Sequence, residues 1–62
     1  MKAEMHRDAL GDWNVIYKGR VVMEGETYQV AANIVYALNN PDRWDTSEAY
    51  EVAENIRAKV EG

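Results

Sequence analysis

The chain has 62 residues, no cysteine, one histidine and a formal net charge of -4 at pH 7. A chain of this length forms one small domain of modest stability, and its composition excludes disulfides, a thiolate nucleophile, Cys-based zinc sites and a His-rich metal cage. Because the acidic balance disfavours a phosphate-binding face, direct nucleic-acid binding is not expected. Further stability is expected from a protein partner or from a homodimer.

Targeting signals are missing from the sequence pattern. No apolar run approaches the roughly 20 residues that a membrane helix needs, and the start MKAEMHRDALGD has no hydrophobic signal-peptide core. The hydrophobic content of 47% argues against intrinsic disorder. We therefore expect a folded protein of the cytoplasm with no membrane contact.

Residues 1–12 are predicted to form a short helix or a mobile arm. Met1, Met5 and Ala9 share one helical face, and Gly11 stands where helices often end. A helix this short is marginal in water, so it would form only by docking on the rest of the domain. A frayed terminus is the alternative.

Residues 13–24 are predicted to form a β-hairpin around Lys18-Gly19, because a two-residue turn needs positive φ. The opposed pairs would be Tyr17 with Arg20, Ile16 with Val21, Val15 with Val22, Asn14 with Met23, and Trp13 with Glu24. Alternation then predicts one face of Trp13, Val15, Tyr17 and Val22 and another of Ile16, Val21 and Met23. Neither face is polar, so one should pack on the helices and the other should be covered separately.

Residues 27–39 are predicted to form a central helix that begins at the N-cap Thr27. Its sequence TYQVAANIVYAL is apolar almost all round, with only Gln29 and Asn33 interrupting the run. A helix of this kind is expected to be covered on several sides, by its own chain or by a second protein.

Residues 45–61 are predicted to form an amphipathic helix, with Asp45 and Glu48 as a capping box and Trp44 as a staple. The sequence as a whole predicts an α+β fold, a two-stranded antiparallel hairpin packed on two antiparallel helices. The expected core comprises Trp13, Val15, Val22, Ala31, Ile34, Val35, Leu38, Val52, Ala53, Ile56 and Val60.

No catalytic or metal-binding pattern is present, so we expect a non-enzymatic protein without cofactors. His6 is the only imidazole, and the pair Glu24 and Glu26 would need a pocket that separates their pKa values. Asp42, Asp45 and Glu48 lack the glycine-centred loop of a calcium site.

Two features predict partner binding. Trp and Tyr supply all the aromatic side chains, and such residues are enriched at interface hot spots. At least two of Tyr17, Tyr28, Tyr36 and Tyr50 are expected to be exposed at an interface, although a small core could also use them. The predicted partner-binding residues are Tyr17, Arg20, Tyr28, Tyr36, Glu48, Glu51 and Glu54.

The second feature is the recurrence of acids every three residues at Asp45, Glu48, Glu51 and Glu54. Neighbours at this spacing lie about 5 to 6 Å apart on a helix, so the row could imitate successive phosphates. The alternative is a solvated face whose acids suit the helix N-terminus, as Arg57 and Lys59 suit the C-terminus.

These features favour a small acidic inhibitor that docks on a nucleic-acid-binding host protein. Phage or mobile-element proteins such as anti-CRISPR or anti-restriction factors share this design. The order strand, helix, helix over 20–60 also resembles the ribbon-helix-helix family, which implies a dimeric DNA-binding regulator whose outward strand residues would include Arg20, Val22 and Glu24. A carboxylate facing DNA is unfavourable. A structural subunit of a larger assembly is the third hypothesis.

Overall fold

A computed structural model describes residues 2–41 and 48–61 as a small α+β fold. Strands β1 (Glu4–Arg7), β2 (Trp13–Tyr17) and β3 (Arg20–Glu26) form an antiparallel sheet in the order β1-β2-β3. Helices α1 (Tyr28–Asn39) and α2 (Glu48–Glu61) follow. The predicted Trp44 staple, the Asp45 cap and Asp42 lie outside the described residues.

The N-terminal segment contributes a third strand, so both the predicted helix and the alternative of a mobile arm are wrong for Glu4–Arg7. β1 pairs with β2 from Glu4 opposite Ile16 to Arg7 opposite Trp13. The turn between them depends on Asp8, whose carboxylate accepts hydrogen bonds from the backbone N–H groups of Leu10 and Asp12, each at 2.9 Å. Gly11 has a φ of 89° and therefore belongs to this turn rather than to a helix end.

The second hairpin keeps the predicted turn but departs from the predicted register. Lys18 and Gly19 both have positive φ, and Tyr17–Arg20 and Ile16–Val21 pair as expected. Beyond them the register shifts, so that Val15 lies opposite Met23 and Trp13 opposite Glu26. The expected pairs Val15–Val22, Asn14–Met23 and Trp13–Glu24 are wrong.

The register shifts change which side chains share a face of the sheet. Val22 and Met23 are neighbours in sequence, yet both pack against the core. A β-bulge has this effect because its extra residue interrupts strict alternation. The prediction that Met23 faces away from Val22 is therefore wrong, and the core side of β3 gains an apolar residue.

Helix α1 begins as predicted at Thr27, whose Oγ1 accepts a hydrogen bond from Val30 N–H at 3.3 Å. Its buried residues are Ala31, Ile34, Ala37 and Leu38. The rest of the helix is not enclosed, and one side stays open to solvent. The expected cover on several sides is therefore only partial within the described chain. The exposed residues are Tyr28, Gln29, Val30, Asn33 and Tyr36.

Contacts made by two side chains, Asn39 of α1 itself and Arg57 of α2, hold the C-terminal end of α1. The Asn39 side chain accepts a hydrogen bond from Ala3 N–H at 2.7 Å and donates one to the Ala3 carbonyl at 3.2 Å. Arg57 of α2 donates to the carbonyl oxygens of Ala37 and Leu38 at 2.8 and 3.2 Å. The Arg57 guanidinium therefore caps the C-terminus of α1 and not that of α2, its own helix.

The contacts of α2 do not fit the predicted antiparallel helices. Its first turn lines a cleft with Val30 and Ile34 of α1, whereas Arg57 reaches the last turn of α1. Glu61 then contacts the β2–β3 turn at Lys18. Both helices thus run toward the same end of the molecule.

The core lies between the sheet and the two helices. Every expected core residue is either buried or packed against the buried cluster. The sequence analysis missed several residues that also belong to the core or pack on it, namely Ala3, Met5, Tyr17, Met23, Ala37, Ala49 and Tyr50. No helix in 2–41 or 48–61 is long and apolar enough to cross a membrane.

Candidate protein-binding surfaces

The predicted interface tyrosines divide between core and surface. Tyr28 is 61% exposed and Tyr36 46% exposed, whereas Tyr17 is only 5% exposed. The expectation of an exposed Tyr17 is therefore wrong. Tyr17 alternates onto the core side of β2, and its hydroxyl donates a hydrogen bond to the Glu61 carboxylate at 3.1 Å. Tyr50 is half-buried beside the core.

Tyr28 is held in place although much of its ring is exposed. Its ring packs edge to face against Trp13, with centroids 5.2 Å apart and an angle of 77° between the planes. This contact joins the first residue of α1 to the first residue of β2. An aromatic side chain oriented in this way loses little conformational freedom on binding.

The open side of α1 is free of charge. Gln29, Asn33, Tyr36 and Asn40 recur at helical spacing, and α1 itself contains no charged residue. Protein surfaces ordinarily carry charge over about a quarter to a third of their residues, whereas charged residues are depleted and tyrosine enriched at interface centres. We call the side chains of Gln29, Asn33, Tyr36 and Asn40 the α1 face.

The described acids of the predicted row lie on the exposed side of α2. Glu48, Glu51 and Glu54 are exposed, and none of them makes an ion pair with another described residue. Arg20, at the start of β3, is also exposed.

The far end of α2 is tied to the sheet by charge. The Lys18 ammonium donates a hydrogen bond to the Glu61 carboxylate. This bond raises the pKa of Lys18, and together with the Tyr17 hydroxyl it lowers the pKa of Glu61. Hydrogen bonds to the charged form of an acid stabilise that form. Glu61 is therefore a structural contact rather than part of the acidic row.

An apolar groove that the sequence did not reveal separates β3 from α2. Its volume is about 380 Å³, and it is lined by Val22, Met23, Val52, Ile56 and Val60, with Asn55 and Lys59 at the rim. Past Met23 and Val52 it continues into a cleft of about 410 Å³ that Glu26 and Glu48 also line. No sequence signal indicated this groove, because it depends on the bulge and on the position of α2.

The described residues offer little to a metal ion. Within 2–41 and 48–61, no group of three or more His, Cys, Asp or Glu side chains is placed to hold one. Glu24 is exposed, so it is not in the kind of pocket that an acid/base pair with Glu26 would require.

The structure also bears on the ribbon-helix-helix resemblance. In that family a single strand pairs across a dimer, whereas β3 is already paired along one edge with β2.

No family model, curated protein or solved structure matches this chain.

Proposed function

We propose that this chain is a non-enzymatic, cytoplasmic protein-binding module. In this proposal it is an inhibitor of the phage anti-CRISPR or anti-restriction type. It mimics DNA and thereby docks on a nucleic-acid-binding host protein. The supporting observation is that Glu48, Glu51 and Glu54 are exposed and unpaired among the described residues. A basic channel that normally holds phosphates could accept such carboxylates.

The spacing of the three carboxylates supports mimicry. From Glu48 to Glu54 the helix rises about 9 Å, or about 4.5 Å for each acid. One strand of duplex DNA carries a phosphate for about every 3.4 Å of helix axis. The linear charge density of the row is therefore comparable with that of a single DNA strand.

Two described cations are not placed to neutralise the row. Arg57 points its guanidinium at the carbonyl oxygens of Ala37 and Leu38, and Lys18 binds Glu61. These two cations are engaged in structural contacts. Neither cation therefore reduces the negative charge that Glu48, Glu51 and Glu54 present to a partner.

The α1 face and Tyr28 support a protein partner over nucleic acid. They offer amide groups and tyrosine rings without the cations that phosphate binding requires. Amphipathic aromatic rings of this kind often supply the main binding energy of protein interfaces. A host protein could thus contact acids on α2 and tyrosines on α1.

The test is capture of partners by the tagged full chain from bacterial lysate, washed at low and then high salt. We expect a stoichiometric nucleic-acid-binding protein that salt releases, because charge pairs at an interface are screened. In a gel shift, the purified chain should displace duplex DNA from that captured protein.

A pair of matched variants separates mimicry from general charge effects. Reversing Glu48, Glu51 and Glu54 to Lys should abolish capture. Reversing an equal number of exposed acids elsewhere should not, and Glu4, Asp12 and Glu24 serve for this control.

Two outcomes would contradict the proposal. Capture that survives reversal of the acidic row but is lost with Tyr28→Ala would shift the binding from mimicry to the aromatics. Recovery of only the chain itself would favour a self-assembling structural subunit and remove the inhibitor hypothesis.

A further inference from the structure

The sheet is too narrow to cover both helices. Two helices side by side present a surface about 20 Å wide, since each is about 10 Å across with its side chains. Three strands spaced about 4.8 Å apart cover about 14 Å. The shortfall is close to the width of one strand.

The part of the two-helix layer that the sheet does not cover lies beside β3. Helix α1 packs against β1 and β2, and α2 packs against α1. Residues of α2 and β3 line the same groove, so α2 lies on the side of α1 toward β3. Among the described residues, the groove between Val22 and Met23 of β3 and Val52 and Val60 of α2 is the apolar surface that this arrangement leaves exposed. A strand placed next to β3 would lie directly over it.

The outer edge of β3 is available for such a strand. β3 is the last strand of the sheet, and no other described strand pairs with its outer edge. Its middle residues Val21, Val22 and Met23 are apolar, and Val21 is 54% exposed. An edge strand with unpaired backbone groups is a template for strand addition.

We infer that the groove takes an extended segment of a partner protein, which pairs with the outer edge of β3 as a fourth strand. The inference rests on the proposed protein-binding function and shares only Glu48 with the acidic row. Alternate side chains of the segment would be apolar and would enter the groove between β3 and α2. Its backbone N–H and C=O groups would form hydrogen bonds with those at the outer edge of β3.

The charges around the groove specify the ends of the segment. Glu26 and Glu48 line one end, and Lys59 lies at the rim of the other. A segment with a basic residue at one end and an acidic residue at the other would match both ends. This complementarity also fixes the direction in which the segment runs.

A second copy of the chain fits the groove less well. Joining two β3 edges would give six strands over four helices, which leaves the same ratio of strands to helices. Each copy would also place its own α2 at the interface between the two β3 strands. A lone strand adds cover without adding a helix, and we therefore assign the groove to a different protein.

The experiment selects random eight-residue peptides displayed on phage against the immobilised full chain, and then measures the best synthetic peptide by fluorescence anisotropy. We expect alternating apolar residues with opposite charges at the ends. Lys59→Glu should weaken binding by about threefold to tenfold, as expected when a partly exposed pair becomes repulsive. Lys2→Glu, the same change of charge at an exposed position outside the groove, is the control.

Backbone pairing is tested by ¹⁵N NMR of the same complex. Amides along 21–23 should shift, and those whose N–H groups face away from β2 should exchange more slowly with solvent, while the amide of Gln29 on the α1 face should not change. Because Lys59 is exposed, its variant should stay folded, and the spectrum verifies this directly.

Several results would overturn the inference. They are failure to select any peptide, selection of peptides that bind as helices, equal binding by the Lys59→Glu variant, and shifts confined to the α1 face. Concentration-dependent dimerisation that protects the β3 amides would assign the edge to a second copy instead. Loss of host-protein capture on reversing the acidic row, with no peptide selected, would leave the proposed function standing and this inference refuted.

Discussion

Arg57 offers a sharp test of how the two helices are held together. Its guanidinium donates two hydrogen bonds to the carbonyl oxygens of Ala37 and Leu38, which belong to the last turn of α1. That turn contains no basic residue of its own. The negative end of the α1 dipole is therefore neutralised by a cation from the neighbouring helix.

The expected loss on replacing Arg57 with Met is about 2 kcal/mol of unfolding free energy. Hydrogen bonds to charged groups contribute about 1.5 to 3 kcal/mol, and partial exposure of Arg57 places it in the lower half of that range. Met keeps an apolar stem of similar length, so packing is largely preserved. A domain of this size has a total stability of about 3 to 9 kcal/mol, and the melting temperature should fall by about 8 °C or more.

The assay is urea unfolding followed by tryptophan fluorescence and far-UV circular dichroism. Lys59→Met, which removes a cation from an exposed position on the same helix, should change the stability by less than about 0.5 kcal/mol. If Arg57→Met and Lys59→Met unfolded at the same urea concentration, the hydrogen bonds from Arg57 to α1 would contribute nothing to stability. That result would refute the prediction.

Three further predictions concern single contacts. Val15→Ala, at a position with no exposed surface, should cost about 2 to 3 kcal/mol in urea unfolding; a similar cost for the exposed Val21→Ala would contradict the core assignment. Thr27→Ala should cost about 1 kcal/mol through loss of the α1 N-cap, and an unchanged melting temperature would exclude that role. Since the pKa of Glu61 is lowered in the folded state, its stabilisation is present above the ordinary glutamate pKa of about 4.3 and is lost as the pH falls through the lower folded pKa. Glu61→Gln should therefore destabilise the chain at pH 7 but not at pH 2, and the control Glu24→Gln, at an exposed strand position, should not reproduce this pattern.

Local sequence signals predicted the elements whose causes are local. Lys18-Gly19 can adopt the positive φ of a tight turn, and the turn forms there. Thr27 can accept a hydrogen bond from a free N–H of the first helical turn, and α1 begins there. The apolar stripe of the last helix also reaches the core, with Ala53 and Ile56 buried.

Elements that depend on distant partners were predicted wrongly. Met1, Met5 and Ala9 fit a helical stripe, but pairing with β2 satisfies the backbone of β1 and makes it a strand. The Asp8 turn that permits this pairing resembles the end of a helix in sequence, because glycine is common both in tight turns and just after helices. Tyr17 was assigned to an interface because residue type alone does not distinguish a buried tyrosine from an exposed one.

The sequence alone determined the α+β class, the second hairpin turn, the limits of α1 and most of the apolar core, since each follows from local periodicity or from a single turn or cap. Tertiary structure decided the third strand, the bulged register of β3 and the direction of α2. It also decided the role of Arg57 and the existence of the groove. These features depend on which surfaces meet in space, and residues far apart in the chain, such as Ala3 and Asn39 or Tyr17 and Glu61, make the contacts that select them.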